Sequence, residues 1–280
     1  MENYRTQVVD TGNHQTFFCE GGESNPETII FLHGSGPGAT AQSNWREILP
    51  EMMKSFHVIA PDLYGFGQTR HPEVLPKSFW EWTRLRVEQV LELMDHLGIQ
   101  KARLVGNSMG GYISLNLVMT APERFERVVL MGSAGGVATP FPEIMRMSRF
   151  FKDPSYTALK NLTKWFVYDD KVLGDQLETV LQERYQEIMR PEIRRSYETM
   201  FPMMPEEIIV PTSALKRMDL PFLLLHGRDD RFVSMESSLY FLQHLPNVQL
   251  HLFDRCGHWL QIEKKETFIK MISDFFRGEI

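Results

Sequence analysis

Short apolar runs alternate along most of this chain with stretches in which apolar residues fall at helical spacing. Thr28 to Leu32, Phe56 to Ala60, Ala102 to Val105, Val128 to Met131, Phe222 to Leu225 and Val248 to Phe253 are β-branched or apolar runs. Most are continuous, the pattern expected of strands in a parallel sheet with helices over both faces. Between them Val87, Val90, Leu91, Met94 and Leu97 keep helical spacing. Phe268, Met271, Ile272, Phe275 and Phe276 do so near the C-terminus. This alternation predicts an α/β fold on a doubly wound, mostly parallel sheet.

The alternation lapses between Pro140 and Leu215. No run there reads as a buried strand, and Pro140, Pro142, Pro154, Pro191, Pro202, Pro205 and Pro211 divide the segment into short helices. Trp165, Phe166 and Tyr168 form one apolar cluster, and Met200-Phe201-Pro202-Met203-Met204 a second. One reading is a helical subdomain with its own small core. The other is a cap whose methionines and aromatics shape an apolar pocket. The expected division is a core of 1–139 and 216–280, with a helical cap of 140–215 inserted in it.

Charge and composition narrow the picture. The 30 Lys and Arg against 36 Asp and Glu give a net charge of −6, which leaves no basic excess for a nucleic-acid backbone. Cys19 and Cys256 are the only cysteines, which points to a reducing compartment over a disulfide scaffold. No apolar run reaches the roughly 18 residues of a membrane helix, and Met1 to Arg5 lacks the apolar core of a signal peptide. The expectation is a soluble, cytoplasmic protein.

The sharpest motif is Gly106-Asn107-Ser108-Met109-Gly110. It lies between a strand pattern and the helical pattern of Tyr112 to Val118, the setting of a strand-to-helix elbow. Such a turn strains the serine backbone and is expected to point the Ser108 hydroxyl into solvent above the sheet. Small residues are needed at 106 and 110, where strand and helix come close.

A serine hydroxyl needs a base, and the base needs an acid to orient it. In the order this fold uses, acid then histidine follow the serine. Leu225-His226-Gly227-Arg228-Asp229-Asp230 supplies a carboxylate pair after one strand, and Cys256-Gly257-His258-Trp259 a histidine after the next. Asp230 is the favoured acid, with Asp229 holding the loop; His226, His244 and His251 read as structural or surface residues. The loop His33-Gly34-Ser35-Gly36-Pro37-Gly38 follows the first buried strand. Its glycines would let a backbone N–H reach a substrate oxygen and, with the Met109 amide, form an oxyanion hole. His33 reads as a pin for this loop. The loop lacks a phosphate-binding pattern, and no His, Cys or Asp spacing suggests a metal.

Taken together, the Ser-Gly-Pro-Gly loop, Ser43-Asn44-Trp45, Gly106 to Gly110, Glu183-Arg184-Tyr185 and Cys256 to Trp259 resemble the meta-cleavage product hydrolases. These α/β-hydrolases break a carbon–carbon bond in dienoates made by ring-opening dioxygenases. The resemblance implies an α/β-hydrolase fold, a triad of Ser108, Asp230 and His258, and an oxyanion hole of the Ser35 and Met109 amides. It implies substrate contacts from Gly36, Asn44, Asn107, Phe166, Arg184 and Trp259, with Arg184 on the carboxylate and 2-oxo end. From the sequence alone, one arginine on a helix such as Arg184 would read as a solvated face. The resemblance further implies no cofactor, no metal, a small dienoate substrate, no membrane partner and a homodimer or larger homo-oligomer. Met145, Met147 and Phe166 are expected to govern the 6-substituent.

Two positions depart from the family pattern: Ser234, where a proline often follows the acid loop, and Gln42, often an apolar residue, expected to affect only the pocket's edge. A carboxylesterase or thioesterase would use the same triad. A receptor that kept the fold without turnover is the remaining alternative.

Overall fold

Inside the continuous apolar runs, alternate residues face two different cores. Ile30 and Leu32, Leu104, and Phe222 and Leu224 pack on one face of the sheet, whereas Ile29 and Phe31, Val105, and Leu223 and Leu225 pack on the other. Both faces are buried, so every position is apolar although the two-residue period of a strand persists.

The computed structural model describes residues 4–137, 139–174, 176–201 and 208–280. Its sheet has eight strands: β1 (Arg5–Asp10), β2 (Gln15–Gly21), β3 (Thr28–Leu32), β4 (His57–Pro61), β5 (Ala102–Asn107), β6 (Phe125–Met131), β7 (Phe222–Gly227) and β8 (Val248–Phe253). They are ordered β1-β2-β4-β3-β5-β6-β7-β8. β1 pairs antiparallel with β2, and β2 with β4. The other pairs are parallel.

The sequence reading missed the β1–β2 hairpin. β1 is a mostly exposed edge strand with no buried run, and its signal was Thr11-Gly12-Asn13 turning between Val8-Val9 and Phe17-Phe18.

Helices α1 (Ala41–Trp45) and α2 (Leu49–Met52) follow β3, and α3 (Phe79–His96) and α4 (Met109–Thr120) flank β5. A helical insert lies between β6 and β7: α5 (Pro142–Ser148), α6 (Tyr156–Trp165), α7 (Gln176–Ile188), α8 (Pro191–Met200) and the short α9 (Thr212–Leu215). α10 (Met235–His244) joins β7 to β8, and α11 (Leu260–Glu263) and α12 (Lys265–Arg277) end the chain. Residues of α3, α4, α10 and the insert share the first core. Those of α1, α2, α11 and α12 share the second. Among the described residues, no helix is long and apolar enough to cross a membrane.

The insert's two expected clusters resolve differently. Phe166 is buried, but Tyr168 is half exposed, so the 165–168 aromatics do not form one group. Met200 and Phe201 are buried; Pro202, Met203 and Met204 lie outside the described residues.

β3 sits at the point where the chain stops adding strands on one side and crosses to the other. In open α/β sheets ligands bind beyond the carboxyl ends of strands at such a switch. The loops after β3, β5, β7 and β8 carry His33 to Gly38, Ser108, Asp230 and His258.

Candidate active site

Ser108 occupies the turn between β5 and α4 with φ 55° and ψ −116°. This conformation is strained for any residue with a Cβ. Close packing holds it there. A methyl group on Gly106 would lie 2.5 Å from the Gly110 carbonyl oxygen, and one on Gly110 would overlap the Leu32 carbonyl. The expectation of a solvent-facing hydroxyl needs correction. Ser108 is buried because the elbow opens into cavities walled partly by the insert.

His258 donates from Nδ1 to Asp230 Oδ2 at 2.6 Å. The other oxygen, Asp230 Oδ1, accepts the backbone N–H groups of Phe232 at 2.7 Å and Val233 at 3.0 Å. Burial alone would raise the Asp230 pKa; the charge and hydrogen bond of His258 outweigh it, and the carboxyl is held below its ordinary value. Asp230 is thus a buried anion aimed at Nδ1, which leaves Nε2 to serve as a base. Asp229 donates its backbone N–H to the Cys256 carbonyl oxygen at 2.9 Å, bracing the two loops. His226 donates from Nε2 to the Val233 carbonyl and accepts from Ser238, which fits its structural reading.

The Ser108 hydroxyl makes no hydrogen bond to His258 in this geometry, but both side chains line one cavity. Contacts of this kind form or shorten as substrate enters a site. Ser35 and Met109 both border the adjoining larger cavity, and among the described residues neither backbone N–H is engaged in a hydrogen bond. His33 pins the loop as expected. Its Nδ1 donates to the Gly34 carbonyl at 2.7 Å and its Nε2 accepts from the Leu63 N–H at 2.9 Å. Burial brings its pKa down to about 4 and keeps the ring neutral.

Arg184, in α7, is buried at 3% exposure. Nη1 donates to Ser43 Oγ at 3.2 Å, Nε has no partner, and the guanidinium stands 5.4 Å from the Trp259 ring centroid. Burial lowers its pKa to about 10. No carboxylate among the described residues pairs with it. A buried cation with open donors and no counter-charge is the complement of a carboxylate. Asn44 likewise has a buried amide nitrogen without a partner. The Phe166 ring is stacked between Phe232 at 4.0 Å and Trp259 at 4.6 Å, centroid to centroid.

These groups surround two cavities that meet at Ser35, Ser108 and Phe232. The first, of about 10 Å³, is lined by Gly36, Asn44, Asn107, Phe166, Arg184, His258 and Trp259 among others. The residues expected to contact the dienoate, Gly36, Asn44, Asn107, Phe166, Arg184 and Trp259, are therefore gathered in one place. The second is about 480 Å³ and mainly apolar, walled by Phe79, Tyr112, Ile144, Phe201 and Val233. Sequence reasoning missed most of this wall, whose residues are ordinary apolar positions of several elements. Met145 lines this larger cavity, while Met147 and Phe166 line the smaller one. Gln42 lines neither, and Ser234 has a local task as the N-cap of α10.

A strained serine, an acid–histidine pair and two unengaged amides on this sheet define a serine hydrolase of the α/β class. Residues 29–270 match the Alpha/beta hydrolase family. The chain is 35% identical over 278 residues to a 2-hydroxy-6-oxo-2,4-heptadienoate hydrolase of Pseudomonas putida, covering 98% of this chain and 96% of that one. It is 36% identical to a 2-hydroxy-6-oxo-6-phenylhexa-2,4-dienoate hydrolase of Burkholderia cepacia, covering 98% and 92%. Among solved structures, the corresponding phenylhexadienoate hydrolase of Rhodococcus sp. strain RHA1 superposes with a TM-score of 0.95 at 40% identity, covering 98% and 99%. The chain belongs to the alpha/beta hydrolase family and, within it, to the meta-cleavage product hydrolases.

Proposed function

We propose that this chain hydrolyses the C5–C6 bond of 2-hydroxy-6-oxohexa-2,4-dienoates, ring-fission products of aromatic degradation, with residues 140–215 as the cap over the site. Arg184 takes the carboxylate and 2-oxo end. The pocket and His258 assist transfer of the enol proton to C5, giving a keto tautomer that can accept the electrons released later. Ser108 adds to the C6 carbonyl while His258 takes its proton and Asp230 stabilises the resulting imidazolium. The Ser35 and Met109 amides hold the oxyanion; one such donor is worth roughly 3–4 kcal/mol in the transition state. Collapse breaks C5–C6, and its electrons flow to the 2-oxo group. Protonation gives 2-hydroxypenta-2,4-dienoate. Water, activated by His258, then frees the acyl group as a carboxylic acid.

The observation that carries this reading is the placement of Ser108 where a polar cavity holding an unpaired buried cation meets a large apolar one. An esterase has no use for the cation. The smaller cavity is tighter than a dienoate, so its walls spread as substrate binds. The larger, at about 480 Å³, exceeds the roughly 150 Å³ that suffices for benzene. It supports an aryl or bulkier 6-substituent. The same reading includes a homo-oligomer, supported by the open edge of β8 and testable by sedimentation.

The test is loss of the yellow dienolate absorbance across 6-methyl, 6-isopropyl and 6-phenyl substrates, beside p-nitrophenyl esters. Bleaching, with the highest kcat/KM for the phenyl compound, is expected. Ester turnover with no bleaching of any dienoate would overturn the reading.

A further inference from the structure

Glu263, the last residue of α11, is half-buried and belongs to none of the chemistry above. Its two carboxylate oxygens serve two different parts of the chain. Oε2 accepts the N–H of Gly257 at 2.6 Å, one residue before His258. Oε1 accepts the N–H of Tyr168 at 2.7 Å, two residues after Phe166. Between these contacts the backbones meet directly. The Trp259 N–H donates to the Phe166 carbonyl oxygen at 2.9 Å. A methyl group on Gly257 would stand 2.8 Å from that oxygen and 3.0 Å from the Tyr168 nitrogen.

Neither 166–168 nor 257–259 belongs to a helix or strand, so their inward N–H groups need acceptors from elsewhere. A carboxylate offers two, and its charge shortens and strengthens both bonds. The segments joined are not arbitrary: one carries His258, and the other carries the Phe166 ring that lies against Trp259 and Phe232 in the pocket wall.

We infer that Glu263 is a positioning residue that ties the His258 loop to the Phe166 segment of the insert, so that base and pocket wall keep one relative placement. The wall at Phe166 is then a fixed side of the site relative to the base. Position matters on this scale because a misplacement of about 1 Å at a reacting group can cost 10²-fold in rate.

The test compares Glu263→Gln and Glu263→Ala with the parent chain on a 6-phenyl dienoate and on p-nitrophenyl acetate. Gln keeps the size but offers only one accepting oxygen, so one arm of the bridge is lost; Ala loses both. The expected result is a kcat at least tenfold lower on both substrates. KM should rise at least threefold for the dienoate, which uses the Phe166 wall, and stay near the parent value for the small ester. The amide protons of Gly257 and Tyr168 should move upfield in the NMR spectrum of the alanine variant. If that variant does not fold, loss of one arm in the glutamine variant carries the test. Parent-like kcat, a fall in kcat with an unchanged dienoate KM, or a lower Tm with unmoved amide resonances would each overturn the inference. The kinetic arm rests on His258 as base. A parent chain inert to both substrates would end that reading, while the amide shifts would still report on the bridge.

Discussion

Gly38 packs face to face with the backbone of Arg184. A methyl group on Gly38 would overlap the Arg184 carbonyl oxygen, and its φ of +67° is one that side chains rarely adopt. Its neighbours follow the same logic: a Cβ on Gly34 would press on Asn107 and Ser108, and one on Gly36 on Arg184 and Phe166. The glycines after β3 were expected to free an amide for an oxyanion. They also let the elbow and the insert close on the loop. Gly38→Ala should therefore lower stability by about 2 kcal/mol or more and raise KM for a dienoate more than for a short ester. Denaturation together with both assays checks it; a neutral substitution would mean α7 is not seated as described.

Ser108→Ala should abolish dienoate bleaching, by about 10⁴-fold or more, while the protein stays folded. The strained φ of Ser108 suits alanine no better than serine, so little stability change is expected. Asp230→Asn should cost about 10⁴-fold as well, because the amide disturbs both the histidine tautomer and the imidazolium. Rapid bleaching by the alanine variant, followed in a stopped-flow spectrometer, would exclude serine as the attacking group.

Arg184→Met should act in opposite directions on stability and activity. Replacing an unpaired buried cation with an apolar side chain of similar length relieves a desolvation penalty, so the folded state should gain about 1 kcal/mol. Losing the carboxylate contact should cut kcat/KM for dienoates by about 10²-fold, with ester hydrolysis spared. Parallel loss on both substrates would assign Arg184 to structure alone.

Asp62 gives a pH signature. It is buried, and its carboxylate accepts the N–H groups of Ala41 at 2.7 Å and Gln68 at 2.9 Å. Burial outweighs those bonds and raises its pKa to about 7. The folded state then binds a proton below pH 7 that the unfolded chain does not bind until near pH 4, so stability rises as pH falls from 8. The size is about 1.4 kcal/mol per unit below 7. His33, depressed to about 4, acts oppositely below pH 6.5. Comparison with Asp62→Asn cancels the histidine. Stability of the parent minus that of the variant should grow by about 1 kcal/mol between pH 8 and pH 6, measured by urea unfolding. A flat difference would place the Asp62 titration elsewhere.

How far the site was legible depended on the range of its causes. The Ser108 elbow is local, so Gly106, Gly110 and the flanking patterns sufficed. Strand ends located Asp230 and His258, because the sheet brings its carboxyl ends together. Arg184 was different, since a single arginine on a helix reads as a solvated surface residue. The overlooked signal was Leu177, Leu181 and Ile188, which with Arg184 form one stripe on α7; Leu181 and Ile188 are fully buried. A lone charge on such a stripe is rarely idle. The β1–β2 hairpin escaped because an edge strand has only one face to bury, and Glu263 because its partners are backbone amides, which leave no mark in residue types.

The unneutralised guanidinium beneath the insert has a practical corollary for handling the enzyme. If Arg184 takes the substrate's carboxylate as proposed, small organic anions common in buffers, such as formate or acetate, should compete for it. Rates recorded in such media would understate the catalyst, and a thermal shift on titrating in a simple carboxylate would report occupancy before any substrate had been synthesised.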